Sequence, residues 1–509
     1  MRLGREGARS APWEDRELRQ LGLLVLCASV VFSFVTHGFL FANECFSHDS
    51  ISYFTYATGT PSFYIGIGRF LIPLYEALKG AVAAPWLIGL LFTLWTAAGA
   101  FLTLHLLHIR QALGVVLVCA LFCTNRAVTL TGATYIYCMD EYALALLLSV
   151  GAVWCFQKGG WRQLLAGLGL LAASLALYQA YFTVAIGLCF LVVLKHAAQG
   201  QSLIGTIREG MRYLGLLTAG FVLYYGLWTA LCALSHIGKR RVEESLLHGG
   251  LGRLPQLLWE ANGDFVQALL RPDGVLSWLL AAVHIMALAV LAARLACLLA
   301  DRRLPIGNKV LLLLLSALAP TAFNAVFLLM NGGATGLMTF AWELWYLLLA
   351  LCLEPWGGRE AKGLRAAAAV VLVCVLWQHI VFANQCYIKK DLEKNATLVL
   401  AARVLERIEG TEGYVPGETP VAFVGRLDQN GFLNRGRDAF SDLTGTVGLW
   451  RDYAATYNFG RYLTDYLNYP LAWDTQTDFS QDPETQAMPA FPQAESVRMI
   501  DGTVVVKLS

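Results

Sequence analysis

Leu21-Gly22-Leu23-Leu24-Val25-Leu26-Cys27-Ala28-Ser29-Val30-Val31-Phe32-Ser33-Phe34-Val35-Thr36-His37-Gly38-Phe39-Leu40-Phe41 is followed almost at once by Asn43-Glu44-Cys45-Phe46-Ser47-His48-Asp49-Ser50. An apolar run of this length crosses a bilayer as a helix, for which roughly 17–25 residues suffice. It delivers two carboxylates, Glu44 and Asp49, to one face of a membrane. The loop closes with Gly66-Ile67-Gly68-Arg69-Phe70-Leu71-Ile72-Pro73, which sets an arginine just before the chain turns back. Between Pro61 and Gly80 the apolar residues are too few to span, so this stretch reads as a helix lying at the interface.

The same pattern recurs outward from that loop. Apolar runs at Leu21–Phe41, Trp86–Leu107, Ala112–Leu130, Tyr135–Phe156, Leu164–Leu177, Ala180–Leu194, Tyr213–Leu234, Leu276–Leu299, Val310–Met330, Leu337–Leu353 and Arg365–Ala383 make about eleven spans. The fold class is therefore mainly α, a polytopic membrane helix bundle. No internal repeat and no interrupted span is visible. Leu246, Leu247, Leu251, Leu254, Leu257, Leu258 and Trp259 recur near helical spacing, so Val242–Leu270 reads as a second interfacial helix. Arg110, Lys158, Arg162, Lys195, Arg208, Arg212, Arg302, Arg303 and Lys309 all fall in segments on the N-terminal side of the membrane. By the positive-inside rule that side is cytoplasmic, with the C-terminus outside. The basic N-terminal lead (Arg2, Arg5, Arg9) precedes a run too long for a signal peptide, so the first span is expected to stay uncleaved.

After Asn384 the composition turns polar. Lys389-Lys390-Asp391 opens a helix running to about Ile408, and Pro420-Val421-Ala422-Phe423-Val424-Gly425 and Thr503-Val504-Val505-Val506 read as strands. Three parts are expected: a cytoplasmic N-terminus over 1–20, a bundle over 21–384 whose outer loop 42–85 carries the site, and a small extracytoplasmic α/β unit over 385–509. A net charge of +2 gives no reason to expect a nucleic-acid partner. The cysteines sit mostly in apolar runs, where they act as small hydrophobes. With no C-x-x-C pair, a metal site is not expected. Cys45, Cys138 and Cys386 are the three that reach the outer side, and a disulfide among them is left open.

Ionisable groups inside spans are costly, about 2.5–3.5 kcal/mol each at mid-membrane on insertion scales, and so mark candidate sites. Asn125, Arg126, Asp140, Glu141 and Glu343 lie near the outer ends of spans, and Tyr178-Gln179 at a hinge between two. Each also has a structural reading: Arg126 snorkelling or pairing with Asp140 or Glu141, Glu343 bonded to backbone in the bundle. The lone histidines His37, His105, His284 and His379 read as packing residues.

Several of these stretches together resemble the bacterial GtrII glucosyltransferase family. The likeness is carried by His48-Asp49, by Ile67-Gly68-Arg69-Phe70-Leu71, by Tyr135-Ile136-Tyr137 with Asp140, and by Tyr178-Gln179-Ala180-Tyr181. Ala383-Asn384 with Tyr387, then Pro420 to Gly425, extend it over nearly the whole chain. The resemblance implies a GT-C-like fold in the bacterial cytoplasmic membrane and, in most such enzymes, inversion at the anomeric carbon. It implies a polyprenyl-phosphate sugar, glucose by family, as lipid-linked donor and a surface glycan such as O-antigen or a cell-wall polysaccharide as acceptor. A donor-synthesising enzyme and a flippase would act in the same pathway. No cofactor is implied, and a divalent metal is left open. Asp49 is the expected base, with Glu44 the alternative, because His48 stands where many such enzymes carry a second acid. Arg69 and Arg126 would hold the donor phosphate; His48, Asn125, Asp140, Glu141, Tyr178, Gln179 and Glu343 would line the pocket. Two other classes fit many spans with buried charges: a transporter or flippase of a lipid-linked sugar, and a membrane-anchored assembly protein whose outer unit does the work.

Overall fold

The computed structural model describes residues 12–45, 47–55, 61–80, 83–240, 251–354, 362–426, 443 and 452–509. The basic lead Arg2, Arg5 and Arg9, and Leu246 and Leu247, lie outside them. The helices are α1 (Pro12–Ala42), α2 (Pro61–Gly66), α3 (Ile72–Lys79), α4 (Pro85–Leu107), α5 (Ala112–Thr124), α6 (Arg126–Thr134), α7 (Met139–Lys158), α8 (Trp161–Leu177), α9 (Phe182–Ala198) and α10 (Leu203–Leu234). They continue with α11 (Leu254–Leu270), α12 (Ser277–Ala300), α13 (Ile306–Phe323), α14 (Ala325–Leu329), α15 (Leu347–Leu351) and α16 (Lys362–Glu409). Among the described residues nine helical stretches are long and apolar enough to cross a membrane, and two shorter apolar ones, Trp161–Leu177 and Phe340–Leu351, alternate with them. The spans read from the sequence are thus helices. Their outward apolar side chains, such as Leu23, Phe34, Val222 and Leu314, stay exposed, as a lipid-facing surface requires.

Each end of the bundle is tied by its own hydrogen bonds. At the end away from the first loop, Lys195 Nζ donates to Leu107 O at 2.8 Å, and Asn308 Nδ2 to Gln201 O at 2.9 Å. The backbone N–H groups of Arg110 and Gln111 donate to Glu354 Oε1 at 2.9 and 2.8 Å. At the first-loop end, Leu71 N–H donates to Ala176 O at 3.1 Å and Arg240 N–H to Gly66 O at 2.8 Å. His37 crosslinks three helices in between, bonding Tyr387 Oη at 2.6 Å and the Cys123 carbonyl at 2.8 Å; it is a packing residue.

Several sequence expectations are corrected. The stretch 61–80 is two short helices, α2 and α3, joined by a turn in which Gly68 has φ +81°. Spans are interrupted. The third breaks at Asn125, whose side chain accepts from Ala127 N–H and opens α6 afresh. The tenth is wound as 3₁₀ helix over Phe340–Tyr346 before α15. The helix does not start afresh at Lys389: α16 runs unbroken for 48 residues through Asn384. At 1.5 Å per residue that is about 72 Å, against a hydrocarbon core of about 30 Å. One helix therefore serves both as the last span and as a post for the C-terminal unit. All twelve cysteines are free thiols, Cys45, Cys138 and Cys386 among them.

Among the described residues the C-terminal unit has a four-stranded sheet in the order β2 (Ala472–Trp473), β1 (Pro420–Val424), β4 (Thr503–Lys507), β3 (Val497–Ile500). β1 pairs parallel with β2 and β4, and β3 pairs antiparallel with β4. Its core joins Leu400, Val404 and Ile408 of α16 to Val421, Phe459, Leu463, Val504 and Val506. One member comes from far away: Ile51 of the first loop is fully buried in this core.

Candidate functional site

The turn at Gly68 explains how Arg69 is held. A Cβ on Gly68 would lie 2.2 Å from Tyr224 Oη and 2.9 Å from Gln179 Nε2, so only glycine lets the turn seat there. Gln179 Nε2 donates to Ile67 O at 2.8 Å, Tyr224 Oη to Gly68 O at 3.1 Å, and Trp228 Nε1 to Ile65 O at 2.7 Å. The half-buried Arg69 guanidinium then reaches Tyr142 Oη at 2.7 Å and Gln179 Oε1 at 3.4 Å. It lies 4.9 Å from the centre of the Tyr178 ring. Tyr178 and Tyr142 stack at 3.7 Å and make a flat wall behind it. Such a wall suits a planar cation.

Asp49 is positioned by a separate set of contacts. Ser50 Oγ donates to Thr134 O at 3.0 Å, and Ser47 Oγ donates to the same carbonyl, which is an orphan acceptor at the C-terminus of α6. Ile51 is fixed in the C-terminal core. Held at both flanks, Asp49 sits 3.3 Å from His48 Nε2, within the electrostatic reach of the Tyr135 phenol. Tyr135 feels the charges of both Asp49 and Arg69. A carboxylate and a guanidinium from distant stretches thus face one phenol. Glu44 is elsewhere: exposed, it accepts from Tyr466 Oη of the C-terminal unit at 2.9 Å.

The remaining candidates form two further groups. Asp140 and Glu141 are fully buried and face Lys79 at 3.0 and 3.6 Å. Tyr75 Oη donates to Asp140 at 3.0 Å and receives Trp95 Nε1 at 3.2 Å. The acids pair with Lys79, not with Arg126, because α3 lays its last turn over the start of α7. Arg126 stacks its guanidinium on Phe382 at 4.0 Å and donates to Asp273 O at 2.7 Å. Its backbone N–H donates to Glu343 Oε1 at 2.9 Å, and Asn125 Nδ2 donates to Phe340 O at 3.2 Å. Glu343 and Asn125 therefore satisfy the backbone freed where two spans break. His284 bonds Leu269 O and Tyr346 Oη, both at 2.7 Å, which is a packing role.

Residues 38–351, more than half of the chain, match the family model described as Glucosyl transferase GtrII. The chain belongs to the GtrII glucosyl transferase family. Comparison with curated proteins and with solved structures gave no match. The resemblance seen in the sequence is thereby borne out, but the match ends before α16. Ala383-Asn384 and the strand at Pro420 lie outside it. As a GtrII protein the chain is a membrane glycosyltransferase. Sequence reasoning did not single out Tyr135, Tyr142 or Lys79 as site residues. Tyr135 had one signal, its place in the motif that carries the resemblance.

Two expected results arise from this arrangement. Lys79→Met leaves Asp140 and Glu141 buried without their cation; breaking a buried pair in this way costs about 3–5 kcal/mol, and a lower melting temperature of the purified protein checks it. Burial pushes Glu76 up to about 7, with Lys79 opposing. It faces Tyr64 Oη at 3.5 Å and, more distantly, the charge of Asp140. Folded protein therefore keeps the Glu76 proton between 4.5 and about 7 while unfolded chain loses it. This contribution to stability is full at the acid end and is lost as pH rises through about 7. Melting followed against pH should lose that decline in Glu76→Gln.

Proposed function

We propose that this chain transfers a hexose, glucose by family, from a polyprenyl-phosphate donor to a cell-surface polysaccharide at the outer face of the bacterial cytoplasmic membrane. The N-terminus is inside and the C-terminal unit outside, and the enzyme is of the inverting GT-C type. The observation that carries this is the convergence of Asp49 and Arg69 on Tyr135. Asp49 takes the proton of an acceptor hydroxyl. The freed oxygen pair attacks the anomeric carbon, the bond from that carbon to the phosphate oxygen breaks, and polyprenyl phosphate leaves with the electron pair. A single in-line displacement of this kind inverts the centre.

Arg69 stabilises the charge that grows on the leaving phosphate, as a planar guanidinium does well. Tyr135 and His48 orient Asp49; Tyr178 and Gln179 hold Arg69. Asn125, Arg126 and Glu343 shape the neighbouring wall, and Asp140 and Glu141 brace the interfacial helices. Glu44, bonded to Tyr466, serves as a tie to the C-terminal unit. The donor is supplied by an enzyme that charges polyprenyl phosphate inside and by a flippase that turns it over.

The test uses purified protein in vesicles with polyprenyl-phosphate glucose labelled in the sugar. Label moving onto the glycan, with release of polyprenyl phosphate, supports the transferase. Label crossing the bilayer still joined to its lipid supports a flippase and removes the proposal.

A further inference from the structure

We propose that the end of the bundle opposite Asp49 carries a second site, which takes the headgroup of an anionic phospholipid. A cavity of about 390 Å³ opens there between α1, α4 and α7, lined by Leu21, His105, Arg110, Trp154, Gln157 and Lys158 among others. His105, Arg110 and Lys158 are exposed, and among the described residues no carboxylate lines the hollow. The nearby acid Glu354 is not in the lining and has its Oε1 taken by the backbone N–H groups of Arg110 and Gln111. Lys158 Nζ rests 5.0 Å from the centre of the Trp154 ring, which directs the ammonium along the wall. His105 feels the positive charges of both Arg110 and Lys158. Cations gathered in a hollow whose described lining holds no acid attract an anion.

The surroundings favour a lipid over a free phosphate. Leu21 forms part of the lining, and Leu18, one turn before it on the same helix, is an exposed apolar residue. Acyl chains can lie along α1 while the phosphate enters the basic hollow, the arrangement by which basic pockets between membrane helices take lipid headgroups. This site stands whether or not the transferase reading does, since it shares no residue with the Asp49 site.

Native mass spectrometry of the full chain, released from detergent with equimolar phosphatidylglycerol and phosphatidylcholine, tests it. Phosphatidylglycerol should be retained in preference to phosphatidylcholine. Arg110→Gln with Lys158→Gln should lower that retention about tenfold or more, from two cations each contributing several-fold. Arg303→Gln, another exposed cation at this end, should leave it unchanged. Equal retention of the two lipids, or unchanged retention in the double variant at an unaltered melting temperature, overturns the proposal. So does displacement of phosphatidylglycerol by inorganic phosphate at equal concentration, which would mark a free-phosphate site.

Discussion

Asp49→Asn is expected to lower sugar transfer about 10²- to 10⁴-fold, the usual range for removing a positioned base. The asparagine keeps the shape of the side chain, but it cannot take the acceptor's proton. Asp49 has 42% of its side chain exposed, so the change strands no buried charge. Insertion and melting should match those of the unchanged protein. Transfer of labelled glucose from donor to glycan, measured at equal protein level, checks this. Full activity in the variant would remove Asp49 from the chemistry. Glu44→Gln, by contrast, should cost little in the chemical step, because that carboxylate is engaged by Tyr466.

Ile51→Ala is expected to weaken transfer without touching a reacting group. Ile51 is fully buried among Leu400, Val404, Phe459 and Leu463, and truncating such a side chain costs about 2–5 kcal/mol. The loss falls on the contact that seats the Asp49 loop against the C-terminal unit. The rate at saturating donor should drop at least about tenfold, since small misplacements of a catalytic group are expensive. Ile51→Val, which costs only about 0.5–1.5 kcal/mol, should restore most of it. Melting and steady-state transfer measured side by side are the check. An Ile51→Ala protein that melts lower yet transfers at the full rate would show that the C-terminal unit does not position the base.

The spans were legible because burying backbone in lipid forces helices, and a long apolar run has few other outcomes. The breaks were not legible. Thr124-Asn125-Arg126 is polar but carries no Gly or Pro stop signal, and what stabilises the break is Glu343, which lies far along the chain and supplies the acceptor. The post formed by α16 was hidden for the opposite reason. The switch from apolar to polar at Asn384 suggests a boundary, yet a helix can leave the membrane without bending. Two strands were readable from their β-branched runs, whereas Ala472–Trp473 is too short to carry a pattern and Val497–Ile500 is interrupted by Arg498.

At the site, Asp49 and Arg69 could be picked out because charges beside a membrane are conspicuous. Their meeting at Tyr135 could not, since a tyrosine near an interface is unremarkable by composition. Glu44 was the alternative to Asp49 as base, and its distance from Tyr466 in the sequence hid their contact. Ile51 looked like an ordinary loop residue until the C-terminal core closed around it.

The most direct test is a double-mutant cycle on the transfer rate with Asp49→Asn and Arg69→Gln. If the two groups act together across Tyr135, the losses are strongly non-additive, and the double variant is about as slow as the slower single one. Losses that simply multiply would mean that the carboxylate and the guanidinium work apart, and would contradict a single site at the mouth of the bundle.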